Sequence, residues 1–264
     1  MEAIDRGYYI SESDERVTIE DQVEEAVQGT KLYRPEDLGK LSGEVERQQA
    51  EDSEETEFEV RNETTLRGAQ DLVERDDAGP FVLNFASARN PGGGFLNGSG
   101  AQEESLARSS ALYPCLKSEM GYYRENERSG TSLYTDHMIY SPDVPVIRDD
   151  DGLFLEEPYL VSLLTAPAVN RNALKRNEPE KLPRVREVME RRTHKVLTVA
   201  AVEGHRDLVL GAWGCGVFGN APEAIAELFA GELNGTLSNY FRSVRFSVLD
   251  RSKSKSTYRA FREV

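Results

Sequence analysis

Apolar positions along the chain fall into short runs separated by polar or glycine- and proline-bearing breaks. Residues 81–86, 159–164 and 207–212 are near-continuous apolar runs, which suit strands covered on both faces. Residues 56–61 alternate, with Phe58 and Val60 on one face, and predict a half-buried strand; residues 244–249 predict another. Between them the period lengthens to that of a helix. Residues 184–202 carry Val185, Val188, Met189, Val196 and Leu197 at helical spacing, and residues 222–233 open on a proline at a favoured early position. Thr64 or Thr65 caps a helix to about Val73, which the break at 76–80 ends. A last helix is expected over 254–262. Strand, helix, strand, loop, helix is the order of an α/β fold. It predicts a three-layer α/β/α sandwich on a mixed, mostly parallel sheet.

The remaining segments are read more coarsely. A helix beginning at Gln102 is expected to reach Pro114 after about three turns, with a short second piece at 116–122. Residues 125–131 read as polar turn, 137–140 and 144–147 as two short strands around Ser141-Pro142-Asp143, and 170–181 as a loose charged stretch. Before the first strand, residues 18–27 and 37–49 suit helices, and Glu51, Asp52, Glu54 and Glu55 form a solvated acidic run. This divides the chain into an N-terminal helical extension, 1–55, packed on or flanking a main domain, 56–264.

Composition narrows the function classes. With 264 residues and 38% hydrophobic content the chain supports a sizeable core, and no apolar run approaches a membrane span. The acidic start resembles neither a secretory nor a transit signal, so a cytoplasmic location is expected. Cys115 and Cys215 give no disulfide framework and suit small buried positions. With His137, His194 and His205 they show no metal-ligand spacing, so neither a metal nor a cofactor is expected. His137 is a candidate acid–base group with no partner acid beside it in any recognisable motif. The net charge of −15 repels polyanions. Generic nucleic-acid binding is therefore excluded, and any phosphate must be held locally by backbone N–H groups.

Two glycine-rich stretches offer such groups. In NPGGGFLNGSGAQEE, Gly92, Gly93 and Gly94 let backbone approach a ligand closely, and the following helix adds free N–H groups at its N-terminus. Gln102, Glu103 and Glu104 open that helix. The same residues satisfy ordinary capping chemistry, since Ser99 and Gln102 have capping-box spacing and acids suit a first turn. The second stretch, 211–220, has four glycines and no charged side chain. Phe218 within it suits a core anchor or a wall against a ribose or base, and Trp213 suits the core.

The spacing GGG, seven residues, QEE resembles the signature of the poly(ADP-ribose) glycohydrolases. NPGGGFLNGSGAQEE together with LVLGAWGCGVFGNAP at 208–222 is similar to the compact microbial branch of that family. The resemblance implies a macrodomain fold that binds ADP-ribose and poly(ADP-ribose) on modified proteins. It implies hydrolysis of ribose–ribose O-glycosidic bonds with Glu104 as general acid and base. Glu103 would contact ribose hydroxyls and Gln102 would join the substrate site. Gly92–Gly94 and Gly216, Val217 and Gly219 would hold the pyrophosphate, Phe218 would position a ribose, and Asn90 would touch one. Two alternatives stand beside this: a non-catalytic ADP-ribose-binding module, and a hydrolase of mono-ADP-ribose on protein or nucleic acid. A helix N-terminus favours a carboxylate, whereas an acid catalyst must begin protonated. The sequence leaves that tension open.

Overall fold

Alternate residues of the central strand face opposite ways, and both sets are apolar. In the computed structural model, which describes residues 1–48, 55–75 and 79–264, Phe81 and Leu83 enter one hydrophobic cluster and Val82 the other. Two cores on the two faces of one sheet make three layers.

In chain order the N-terminal part holds α1 (Glu2–Arg6), β1 (Tyr8–Ile10), β2 (Arg16–Thr18), α2 (Glu20–Gly29), β3 (Lys31–Tyr33) and α3 (Pro35–Gln48). Then come β4 (Glu57–Arg61), α4 (Thr65–Val73), β5 (Phe81–Phe85), α5 (Gln102–Ser109), α6 (Leu112–Ser118), α7 (Met120–Arg128), β6 (Met138–Arg148) and β7 (Phe154–Ala166). The chain closes with α8 (Arg171–Asn177), α9 (Val185–Val202), β8 (Asp207–Leu210), α10 (Pro222–Leu233), β9 (Ser243–Ser247) and α11 (Ser256–Glu263).

Among the described residues the main sheet runs β3-β6-β7-β5-β8-β9-β4. The four pairings from β7 to β4 are parallel and the two on the β3 side antiparallel, so the sheet is mixed and mostly parallel. Core residues of α3, α9, α10 and α11 lie with one face and those of α2, α4, α5, α6 and α7 with the other. The N-terminal stretch is more than helical. Its β3 is an edge strand paired with β6, and β1 and β2 form a small sheet of their own.

Several expectations need correction. The helix from Gln102 ends at Ser109, five residues before Pro114. Ser110 is extended and bridges Val146, and Pro114 lies instead in the first turn of α6, where its missing N–H costs nothing. Most of 125–131 is helical, within α7, because Tyr122 and Asn126 form a buried face. The two strands around Pro142 are one, β6, carried past Asp143 by a register shift with φ +45° at that residue. Residues 171–177 are helical, capped by the Asn170 side chain. The acidic run at 51–54 and the first three residues of the break at 76–80 lie outside the described residues.

Candidate active site

Parallel α/β sheets leave a crevice outside the carboxyl ends of their strands. Here a cleft of about 580 Å³ opens there. One wall is the start of α5, including Gly100, Ala101, Gln102 and Ser105. The opposite wall is the loop after β8, from Ala212 to Phe218, and the segments after β4 and β9 close the far end.

Gln102 staples the near wall to the sheet. Its Oε1 accepts the Phe85 N–H at 2.9 Å, and its Nε2 donates to the Leu83 carbonyl at 2.8 Å and to Thr65 Oγ1 at 3.2 Å. The side chain lines the cleft with its hydrogen-bonding groups already engaged.

The two glutamates leave the helix about 100° apart and meet different partners. Glu104 turns to the glycine-rich loop. Its Oε1 accepts the Gly94 N–H at 2.9 Å and its Oε2 the Ala101 N–H at 3.0 Å, the second being the backward half of a capping box. Ser99 is not the cap; Ala101 is. Glu103 turns inward and is 3% exposed. It accepts the Ser87 N–H at 2.6 Å and Asn84 Nδ2 at 3.4 Å. Burial pushes its carboxyl up to about 8, and the Glu104 charge adds to that rise, against the lowering effect of Ser87, Asn84 and the Gly92 N–H.

These contacts explain the glycines. Gly92 and Gly93 have φ of +67° and +60°, where a side chain is strained. A Cβ on Gly93 would also collide with Glu104 Oε1 and lie 3.1 Å from Glu103 Oε2. The loop's N–H groups point inward: Gly92 to Glu103, Gly93 to the Asn90 carbonyl, Gly94 to Glu104. Asn90 is exposed.

The opposite loop is built the other way. The carbonyls of Val217 and Phe218 accept from Asn172 Nδ2 at 3.1 Å and Asn172 N–H at 2.9 Å, which docks the loop on the first turn of α8. Across a trans peptide the N–H opposes the C=O, so the Phe218 N–H faces away from that anchor. Among the described residues the N–H groups of Gly216, Val217 and Phe218 make no hydrogen bond. A run of free N–H groups on a cleft wall is an anion-binding concavity. Phe218 is half-buried and tilts against Tyr134, ring centroids 6.2 Å apart. Tyr134 belongs to a segment clamped by fully buried Arg192, which pairs with Asp136 and donates to the Leu133 and Pro167 carbonyls.

The family described as the microbial-type PARG catalytic domain matches residues 1–149. Poly(ADP-ribose) glycohydrolase (PARG) from Thermomonospora curvata is 46% identical, with 99% of this chain and 95% of that one covered and a TM-score of 0.95. The chain belongs to the microbial-type PARG family. The T. curvata protein bound to the inhibitor ADP-HPD gives 46% identity and a TM-score of 0.92 over the same shares. PARG from Deinococcus radiodurans in complex with ADP-ribose gives 44% identity and a TM-score of 0.87, with 91% and 96% covered. No curated protein matched the chain.

In this PARG-family chain the expected site residues divide. Gln102, Gly216, Val217 and Phe218 line the cleft; Asn90, Gly92, Gly93, Gly94, Glu103, Glu104 and Gly219 do not. Gly219, with φ +72°, abuts Asn172. Trp213 is buried as expected, its Nε1 donating to the Ala166 carbonyl. His137 bonds Thr135 and does not line the cleft. Sequence reasoning missed Glu63, Asp150 and Arg251 at the far end. Glu63 accepts from Ser247 Oγ, and Asp150 accepts from Thr64 Oγ1. Their signal was positional only: Glu63 and Arg251 follow strands that end at the same edge of the sheet. Among the described residues no cluster of His, Cys, Asp and Glu suits a metal ion, and no helix is long and apolar enough to cross a membrane.

Proposed function

We propose that this chain is a poly(ADP-ribose) glycohydrolase that cleaves ribose–ribose O-glycosidic bonds and releases ADP-ribose, acting in the cytoplasm on chains carried by modified proteins. The observation that carries this reading is the junction of a carboxyl, Glu104, with a glycine-rich loop at one edge of a cleft whose other wall presents free backbone N–H groups. A diphosphate held by the N–H groups of Gly216, Val217 and Phe218 suits a protein of charge −15, because no cationic side chain is needed there. Phe218, braced by Tyr134, supplies an apolar face for a ribose. Hydrolysis passes through an oxocarbenium-like state and needs a proton on the leaving oxygen. Glu104, protonated in the substrate complex, supplies it and then regains one from the attacking water. In the free protein each of its oxygens accepts one backbone N–H and keeps further acceptor capacity for the substrate.

That occupancy also favours a second reading, a binder of ADP-ribose in which Glu104 is a structural brace. One comparison separates them: release of free ADP-ribose from poly(ADP-ribose), and ADP-ribose affinity, for the wild type and Glu104→Gln. Release that falls at least about 10²-fold in a variant that still binds supports the hydrolase. Binding by both with release by neither supports the binder.

A further inference from the structure

Behind the glycine-rich loop lies a group of buried polar atoms without partners among the described residues: Asn84 Oδ1 and the hydroxyls of Tyr122 and Tyr123. The two tyrosine rings meet edge to face at 4.8 Å, and both hydroxyls lie within the electrostatic reach of Glu103. Glu103 has no salt-bridge partner there. The groups that face it are Glu104 from its own helix, Tyr122 and Tyr123 from α7, and Asn84 from β5. Beyond Tyr122 stand Arg192 of α9 and Tyr134, and beyond Tyr123 stands Tyr113 of α6. Arg192 is committed to Asp136.

A buried carboxylate without a cation is costly, and a second carboxylate beside it raises that cost. A carboxylate is also acceptor-only, so it leaves the amide oxygen Asn84 Oδ1 without a donor. The protonated acid resolves both problems at once, since it adds a donor and removes a charge. Glu104 is placed differently, with a backbone N–H donor at each oxygen.

We propose that Glu103 works as a neutral carboxylic acid, accepting the Ser87 N–H on one oxygen and donating from the other into the pocket of Asn84, Tyr122 and Tyr123. The loop beside a bound diphosphate then carries one negative charge fewer, and Glu103 acts through that charge difference as a positioning residue. The upward push on its carboxyl to about 8 agrees with the geometry. The binding consequence rests on the reading of the cleft as an ADP-ribose site: once Glu103 ionises, ligand affinity falls.

Two measurements test it. Infrared spectra of the wild type minus Glu103→Gln at neutral pH are expected to show the carbonyl stretch of a protonated acid, lost as pH rises through about 8. ADP-ribose titrations across the same range are expected to weaken about tenfold per pH unit above that point in the wild type, because the competent fraction falls in proportion. The affinity of Glu103→Gln should stay level over that range. Absence of the band overturns the proposal without reference to any ligand. An alkaline fall that persists in Glu103→Gln overturns the binding consequence. The band present with no ADP-ribose binding at any pH supports the neutral acid and overturns the reading of the cleft.

Discussion

Glu103 Oε2 and Glu104 Oε1 converge on the bare face of Gly93, at the point where any other residue would begin its side chain. Two adjacent acids on one helix turn thus share a single contact on the loop ahead of them, and that loop must be glycine where they meet. Gly93→Ala forces a Cβ onto the Glu104 carboxyl at φ +60°. We expect ADP-ribose release to fall at least about 10²-fold, since a small misplacement of an acid is expensive in rate. Melting temperature should drop by a few degrees, about 2–4 °C per kcal/mol for a chain of this size. Calorimetry and a release assay on the same preparation check both.

Gln102→Ala removes three hydrogen bonds and leaves the Phe85 N–H and Leu83 carbonyl without their side-chain partner. A stability loss of about 1–3 kcal/mol is expected, read from the urea midpoint at unchanged slope. A loss in affinity alone, at wild-type stability, would make Gln102 a ligand contact rather than a staple.

Asn172 holds the Val217 and Phe218 carbonyls. Asn172→Ala removes only the bond from Nδ2 and should loosen the loop. ADP-ribose affinity is expected to weaken by roughly three- to tenfold, the worth of one hydrogen bond of about 0.5–1.5 kcal/mol. KM should rise more than kcat falls.

The raised carboxyl of Glu103 ties stability to pH. From the ordinary value of 4.5 up to about 8, the folded protein holds a proton that the unfolded chain has lost. Its contribution is therefore complete below 4.5 and is lost as pH rises toward about 8. Glu103→Gln carries no such group. Denaturation across this window should show the wild type losing ground to Glu103→Gln by a few kcal/mol, with a constant difference above it.

Asp136 has the opposite sign. Burial alone would raise its carboxyl, but Arg191, Arg192 and Lys195 outweigh burial and hold it well below the usual carboxylate range. Its contribution is present above the unfolded value of 3.8 and is lost as pH falls below that. Asp136→Asn leaves the buried Arg192 uncompensated and should cost about 3–5 kcal/mol at neutral pH. The penalty should shrink in acid, where the wild type also loses the charge.

Local pattern accounts for what could be read early. The apolar runs at 81–86 and 207–212 contain β5 and β8 because strands buried on both faces need no partner information to be recognised. Pro222 opens α10 where a proline at a first helical position belongs. Thr64 caps α4 through the Arg67 N–H. The misread elements are those whose outcome is set at a distance. Ser110 leaves the helix because Val146 pairs with it. Pro142 stays inside a strand because β7 runs on alongside. The turn-like residues 125–128 are helical because Asn126 is buried, where it bonds Thr135.

The chemistry divides along the same line. The order of glycines and acids belongs to the chain itself, and of the residues it singles out Gln102, Gly216, Val217 and Phe218 line the cleft. Glycine at 92–94 and paired acids at 103 and 104 are legible because each acts through its own covalent character. Which N–H groups are free, and which glutamate is buried, are not legible. Successive helical positions project about 100° apart, so two adjacent glutamates find different partners even though a carboxyl oxygen of each reaches Gly93. Only the docking of α5 on β5, fixed by Gln102, determines that Glu103 faces the core and Glu104 the loop.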